Sequence, residues 1–445
     1  MEVISFRTPG LGDQSYLLVH EGRGVLVDPQ RDVGRFLDVA AERDVELRLV
    51  LETHLHNDYV SGGAQAASRT GAELVLPVAA ATAYPYTPAF HLEDIPGEGG
   101  LTIRPLHTPG HTPEHTSYLV LVDGEPAAVF SGGSLLVSAA GRPDLLGPER
   151  ARTLARLQYG SLHRLAALPG EVDLFPTHGE GSFCGTAGVG RHTSTIADEH
   201  RDNPLLALPD ADTFADELLT EPMPIPAFYA HVGPANLLGA PAMPDGRPPE
   251  IPVEEIPRDA RVVDIRPRAV QAAGFLPGST GVAIGDDFGS WVGWLVPYGE
   301  AIVLVAEPGQ DVSEALTQLA RVGIDDVRGV VRDLGRYASA RFELLDLTAF
   351  LGRMPGARVL DVRMPSEWRA DPLPGAVERF LPDLVSQGLP GRLRGERQVP
   401  VVCGSGRRAA IAATILTRHG LHPVVLDGAG AAQVAAALAT REGVR

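Results

Sequence analysis

The chain has 445 residues and a formal net charge of −18 at pH 7. That length is too great for one core and calls for two or three domains, and the negative balance argues against nucleic acid or an anionic membrane as a partner. Its two cysteines, Cys184 and Cys403, fit a reducing compartment better than a disulfide scaffold. No basic leader opens the sequence and no apolar run approaches the roughly 20 residues needed to span a bilayer, so the expected location is cytoplasmic.

Residues 1–205 alternate β-rich runs (Tyr16 to Val19, Gly24 to Val27, Tyr118 to Val122, Ala127 to Phe130) with helical stretches such as Ala64 to Arg69 and Glu149 to Leu168. That pattern predicts two β layers with helices outside. Leu49-Val50-Leu51 reads as the end of a buried strand, and the residues after it are Glu52-Thr53-His54-Leu55-His56-Asn57-Asp58-Tyr59. Side chains two apart on an extended chain point the same way, so His54, His56 and Asp58 are expected to converge. Thr108-Pro109-Gly110-His111 follows the apolar run Leu101 to Leu106, and Pro176-Thr177-His178-Gly179 follows Val172-Asp173-Leu174. Three imidazoles at three strand exits point to a metal site. His54, His56 and His111 are the expected ligands, with Asp58, Tyr59 and His178 around them as supporting or alternative groups. His107 and His115 read as packing or surface residues, and Cys184 as a buried filler. For Arg142, a salt bridge with Asp144 and the binding of a substrate carboxylate stay open.

Residues 206–257 are rich in proline and read mostly as a connecting arm, with packing left open for Phe228 to Leu238. From 258 onward the chain repeats itself. Val263-Asp264-Ile265-Arg266 returns as Leu360-Asp361-Val362-Arg363, and Leu276-Pro277-Gly278 as Leu373-Pro374-Gly375, at a constant offset of 97 residues. A duplicated α/β domain with a parallel sheet is expected over 258–345 and 346–445. In the second copy Cys403, Gly404, Ser405, Gly406, Arg407 and Arg408 run from strand into loop into helix, where backbone N–H groups favour a thiolate. Arg408 offers a fork for an anionic sulfur donor. Cys403 and Arg408 are the expected catalytic pair. The same register sets Ala306 opposite Cys403 and Asp311 opposite Arg408. The first copy is therefore expected to be silent, with the Asp311 carboxylate repelling anions.

The Cys403 loop, with Asp361, Arg363, Glu367 and Trp368 before it, resembles the active loop of rhodaneses. Thr53 to Asp58, Thr108 to His111 and Pro176 to Gly179, with Val27-Asp28-Pro29 and Gly141-Arg142-Pro143-Asp144, resemble the metallo-β-lactamase superfamily in its glyoxalase II and persulfide dioxygenase branch. The whole chain resembles persulfide dioxygenase–rhodanese fusions. The resemblance implies an αββα sandwich followed by two rhodanese-like α/β domains, the first of them inactive. It implies one divalent metal, iron(II) ahead of zinc(II), and small-molecule partners such as thiosulfate and glutathione persulfide. A homodimer stays open. Sulfur carried on Cys403 would feed oxidation of a persulfide to sulfite, the alternatives being a zinc-dependent thioester hydrolase and a sulfur carrier or scaffold. Two departures stand out: Tyr59 replaces a second-metal histidine, and Gly133, in Phe130-Ser131-Gly132-Gly133, stands where the family carries an aspartate ligand. Restoring that carboxylate is expected to raise metal occupancy.

Overall fold

The computed structural model describes residues 1–185, 190–220 and 223–442, in two compact units. The first comprises Met1–Pro244 with Thr317–Asp325, and the second Asp245–Leu316 with the chain from Asp326 onward.

The first unit is built on two six-stranded sheets. One runs in the order Glu2–Thr8, Asp13–His20, Arg23–Val27, Glu46–Leu51, Glu73–Pro77, Thr87–Ala89. Its first three strands pair antiparallel and the rest parallel. The other runs Ser194–Thr195, Asp173–Pro176, Glu125–Gly132, Thr116–Val122, Leu101–His107, Ile95–Glu98. Alternation along each strand sorts the side chains between two faces. Tyr16, Leu49, Leu51, Ile103, Tyr118 and Phe130 form the core shared by the two sheets. The opposite face of the first sheet packs Leu17, Leu26 and Val50 on Phe36 and Ala66, which lie on the helices Gly34–Glu42 and Gly63–Thr70. The opposite face of the second packs Leu119, Val129 and Leu174 on Leu162 and Leu165 of the helix Pro148–Ala166. Strands buried on both faces read as unbroken apolar runs, as Leu49-Val50-Leu51 does. The result is a helix–sheet–sheet–helix sandwich, with the histidine signals at one end of its strands.

The arm expected over 206–257 is not simply a connector. Asp210 accepts the N–H groups of Asp212 and Thr213 and so caps the helix Ala211–Leu219, whose Phe214 enters the core. A second helix, Tyr229–Leu238, carries Pro234 inside it and buries Tyr229, Val232 and Asn236. Tertiary packing overrides the local cost of that proline.

The second unit holds two sheets whose strands are all parallel to their neighbours. They run Thr280–Gly281, Arg261–Asp264, Ile302–Val305, Val327–Val331 and Glu343–Leu345, His422–Leu426, Gln398–Val402, Leu360–Asp361, Val377–Glu378. The 97-residue register holds in space: Asp264 and Asp361 pair with Val305 and Val402 respectively. The strand Glu343–Leu345 belongs to the second sheet although it lies just ahead of the expected boundary at 346. Among the described residues no helix is long and apolar enough to cross a membrane.

Candidate metal centre and thiol loop

The strand Glu46–Leu51 delivers residues 52–62 to the end of the sandwich, and buried Asp28 fixes their path. Its carboxylate accepts the Thr53 N–H at 2.7 Å and the Thr53 hydroxyl at 2.7 Å, and also bonds the Thr177 hydroxyl. Burial opposes the charge on Asp28, but His56 and these donors outweigh it and hold the carboxyl below its usual range.

Three imidazoles are then aimed by the atom behind each ring. Nδ1 of His54 lies 2.9 Å from Thr53 Oγ1, Nδ1 of His111 2.9 Å from the Arg142 carbonyl, and Nδ1 of His178 2.9 Å from Asp13 Oδ1. A partner on one ring nitrogen leaves the other free to ligate. Nε2 of His54 and Nε2 of His178 are 3.3 Å apart, and ligand atoms of His54, His111 and His178 all lie within 4.8 Å of one another. Nitrogens about 2.0–2.1 Å from a tetrahedral ion are separated by about 3.3–3.4 Å. Burial, and then the neighbouring imidazoles, push His54 and His111 well below the usual histidine range, and burial lowers His178 as well. Neutral rings are what a metal requires. A second group, His56, Asp58 and His178, shares the last histidine. There His56 Nδ1 and both Asp58 oxygens are buried without a hydrogen bond, and burial raises the Asp58 carboxyl to about 7. Converging imidazoles beside orphaned polar atoms fit a divalent cation.

His56 does not join His54 and His111 as expected; His178 takes that place. His56 Nε2 turns to Asp28 Oδ1 and Glu52 Oε2, both at 3.3 Å, and to the Tyr59 hydroxyl at 3.0 Å. The Tyr59 ring stacks on it at a centroid distance of 4.3 Å. Burial resists protonation of His56, yet the two carboxylates raise its pKa well above the usual value.

The position of the missing aspartate is occupied. A Cβ on Gly133 would stand 2.2 Å from Cδ2 of His111, and the Gly133 N–H donates to His115 Nε2 at 2.9 Å. His115 is a packing residue, pushed down to about 3 by burial. Restoring a side chain at 133 would therefore displace a ligand, contrary to the sequence expectation.

Arg142 has no donor left for a substrate. It makes a two-point ion pair with Asp144 at 2.7 Å and donates to the carbonyls of Phe183, Met223 and Pro224. Cys184 is buried, with Sγ 3.4 Å from the Tyr229 hydroxyl.

From sequence, Asp13, Glu52 and Asn236 had no assigned role, and Thr53 stood only as the start of a motif. The Asn236 amide donates to the carbonyls of His56 and Tyr59 at 2.8 Å each and accepts the Ser61 N–H at 2.8 Å. Asn236→Ala leaves three buried backbone groups unpaired. We expect it to cost about 2–3 kcal/mol of stability and to lower bound metal several-fold, measured by thermal denaturation and by elemental analysis.

In the second unit Cys403 follows the strand Gln398–Val402 and is 1% exposed. The Gly406 N–H donates to its Sγ at 3.1 Å, and the helix Arg407–Thr417 begins at once. Gly406 has φ +87°, and a Cβ there would meet the Leu426 carbonyl at 2.6 Å, so only glycine suits the turn. The guanidinium of Arg408 is not an open fork: Glu367 takes it in a two-point pair at 2.5 and 2.7 Å. Arg363 is paired with Asp361 in the same manner.

In the first copy Asp311 does not stand where the register suggested. Asp311 is exposed and accepts the N–H of Ser313, so it does not face the loop. Instead Gln310 Oε1 accepts the Glu307 N–H at 2.9 Å, and Arg332 donates to the carbonyls of Glu307 and Gln310 at 3.0 and 2.6 Å. The backbone groups of the loop are taken up by Gln310 from the loop itself and by Arg332, which follows the strand Val327–Val331. Ala306→Cys combined with Cys403→Ser is expected to show no sulfur transfer from thiosulfate; trapping of a persulfide on the new thiol would refute this.

Residues 9–178 match the family model described as the metallo-beta-lactamase superfamily. The hydroxyacylglutathione hydrolases of Acidiphilium cryptum and Methylobacillus flagellatus are each 32% identical to the chain. The first aligns over 177 residues (39% of this chain, 67% of the relative) and the second over 165 (37% and 60%). The chain thus spans about two thirds or less of these relatives' length. The crystal structure of a metallo-beta-lactamase from Staphylococcus aureus subsp. aureus COL superposes with a TM-score of 0.68 at 26% identity. It covers 75% of this chain and 99% of that one, more of the chain than the family model matches. A match that runs from the first hairpin to the third histidine signal, over a sandwich of this layering, leads to one conclusion: the chain belongs to the metallo-β-lactamase superfamily.

Proposed function

We propose that the chain handles sulfane sulfur, as a rhodanese-like sulfurtransferase joined to a persulfide-oxidising metal unit. Cys403 takes sulfur from a donor such as thiosulfate and passes it to a thiol such as glutathione, and in the metal unit the persulfide's outer sulfur is oxidised by dioxygen with one water, giving sulfite and the free thiol. The observation that carries the reading is the N–H of Gly406 on Cys403 Sγ at a helix start. That contact suits a sulfur bearing negative charge. The Cys403 thiolate attacks the outer sulfur of thiosulfate, the donor's sulfur–sulfur bond breaks, and sulfite leaves with the bonding pair. An acceptor thiolate then attacks the sulfane sulfur held on Cys403 and frees the cysteine. Arg408, locked by Glu367, steadies the helix start rather than gripping the donor.

In the metal unit His54, His111 and His178 are the residues that would hold the ion. When bound, it would supply Lewis acidity and, as iron(II), one-electron chemistry. The chain's own part is to keep these rings neutral and aimed through Thr53, Arg142 and Asp13. His56 is held beside the site by Asp28 and Glu52.

One observation favours a second reading. Three imidazoles with no carboxylate among them are a ligand set of catalytic zinc, and hydroxyacylglutathione hydrolases are among the relatives. The full chain, loaded separately with iron(II) and zinc(II), should be assayed for oxygen uptake with glutathione persulfide and for hydrolysis of a glutathione thioester. Iron-dependent oxygen uptake is expected. Thioester hydrolysis with zinc and no oxygen uptake with iron would replace the reading by the hydrolase.

A further inference from the structure

We propose that the repeat lacking a cysteine clamps the Cys403 loop of its neighbour, with Asp287 and Arg268 as positioning residues. The inference rests on the reading of Cys403 as the sulfur carrier.

Arg407 is the first residue of the helix and directly follows Gly406, whose N–H meets Cys403 Sγ. The Arg407 side chain is half-buried and turns toward the first repeat. Its Nη2 lies 2.5 Å from Asp287 Oδ1 and 3.3 Å from the Ala283 carbonyl, both in the first repeat. Asp287 is itself held, since its Oδ2 accepts the indole N–H of Trp291 at 2.8 Å. The approach is close: a Cβ on Gly285 would stand 2.4 Å from Arg407 Nη2. On the other flank Arg268, also of the first repeat, lies 2.7 Å from Asp427 Oδ1 and reaches the Ser405 carbonyl at 3.5 Å. Asp427 abuts the same turn, because a Cβ on Gly406 would meet its Cα at 3.3 Å. Further along, the Gly281 N–H donates to Thr414 Oγ1 at 3.0 Å and seats the helix itself.

Ser405 and Arg407 are thus fixed from outside their own repeat, and Gly406 lies between them. Glycine has the widest backbone freedom of any residue, so the direction of the Gly406 N–H is set by its neighbours. Releasing Arg407 would let that peptide turn away from the sulfur. The copy without a cysteine therefore has a task, and Arg407 serves geometry rather than the donor.

The test is the pH profile of Cys403 alkylation by iodoacetamide in the full chain, read by mass spectrometry of the Cys403 peptide. A hydrogen bond to a thiolate lowers the midpoint of this profile. Asp287→Asn and Arg268→Ala should each move the midpoint up by about half a unit or more. Arg407→Lys should retain part of the effect. Asp287→Asn combined with Arg407→Gln should be no worse than either alone, since both remove one contact. Thiosulfate turnover should fall in kcat more than it rises in KM. Unchanged profiles in folded Asp287→Asn and Arg268→Ala proteins would overturn the clamp, as would strictly additive losses in the double variant. If Asp287→Asn does not fold, Arg268→Ala and Arg407→Lys decide by the same criterion. A native protein that transfers no sulfur, yet shows the Asp287-dependent profile, would sink the sulfur-carrier reading and leave the clamp standing.

Discussion

Cys403→Ser is expected to abolish sulfur transfer, by about 10³-fold or more. A hydroxyl is not ionised near neutral pH, and its oxygen forms no stable bond to sulfane sulfur. The loop is also shaped for a larger atom, with Gly406 N 3.1 Å from Sγ. The substitution removes only one buried atom's identity, so the fold should survive it. Cys184 is the internal control: it is buried against Tyr229 in the other unit, and Cys184→Ser should leave transfer intact. The measurement is sulfite release from thiosulfate with glutathione as acceptor. Undiminished turnover in Cys403→Ser would place the chemistry on another group.

Gly133→Asp is expected to lower bound metal by half or more, not to raise it. A Cβ at 133 would lie 2.2 Å from the His111 ring, which cannot yield while its Nδ1 is bonded to the Arg142 carbonyl at 2.9 Å. Overpacking of this sort costs about 1–3 kcal/mol, and here the strain falls on a ligand. Gly133→Ala separates sterics from coordination, because it adds the Cβ without a carboxylate. Both variants should lose metal by elemental analysis, with circular dichroism to confirm folding. If the aspartate variant gains metal while the alanine variant loses it, the carboxylate ligates after all and His111 has more room than the structure shows.

The strand exits were legible because burial on both faces writes Leu49-Val50-Leu51 and its counterparts as plain apolar runs. The duplication was legible too, because the offset of 97 residues repeats without a gap. Side-chain direction at the site was not. Period-two spacing puts His54 and His56 on one side of an extended chain, but beyond Leu51 the chain leaves the strand. From there Asp28 and Glu52 decide where His56 points, and Asp28 lies 28 positions before it. Arg408 shows the same limit: an arginine near a cysteine suggests an anion fork until Glu367, 41 residues earlier, fills it. Within 206–257 the helix Ala211–Leu219 and the partners of Asn236 stayed hidden for a different reason. Proline density signals breaks in local structure, whereas Phe214 and Asn236 are held by partners far off in the chain.

The bonds from Asn236 to His56, Tyr59 and Ser61 bridge 180, 177 and 175 residues. Contacts across such separations form late in folding, since the intervening chain must be ordered before they can close. The histidine loop is therefore completed only when the helix Tyr229–Leu238 docks, well after both sheets have been synthesised. An early metal ion would meet an unfinished loop, and a fragment ending at residue 205 would never finish it.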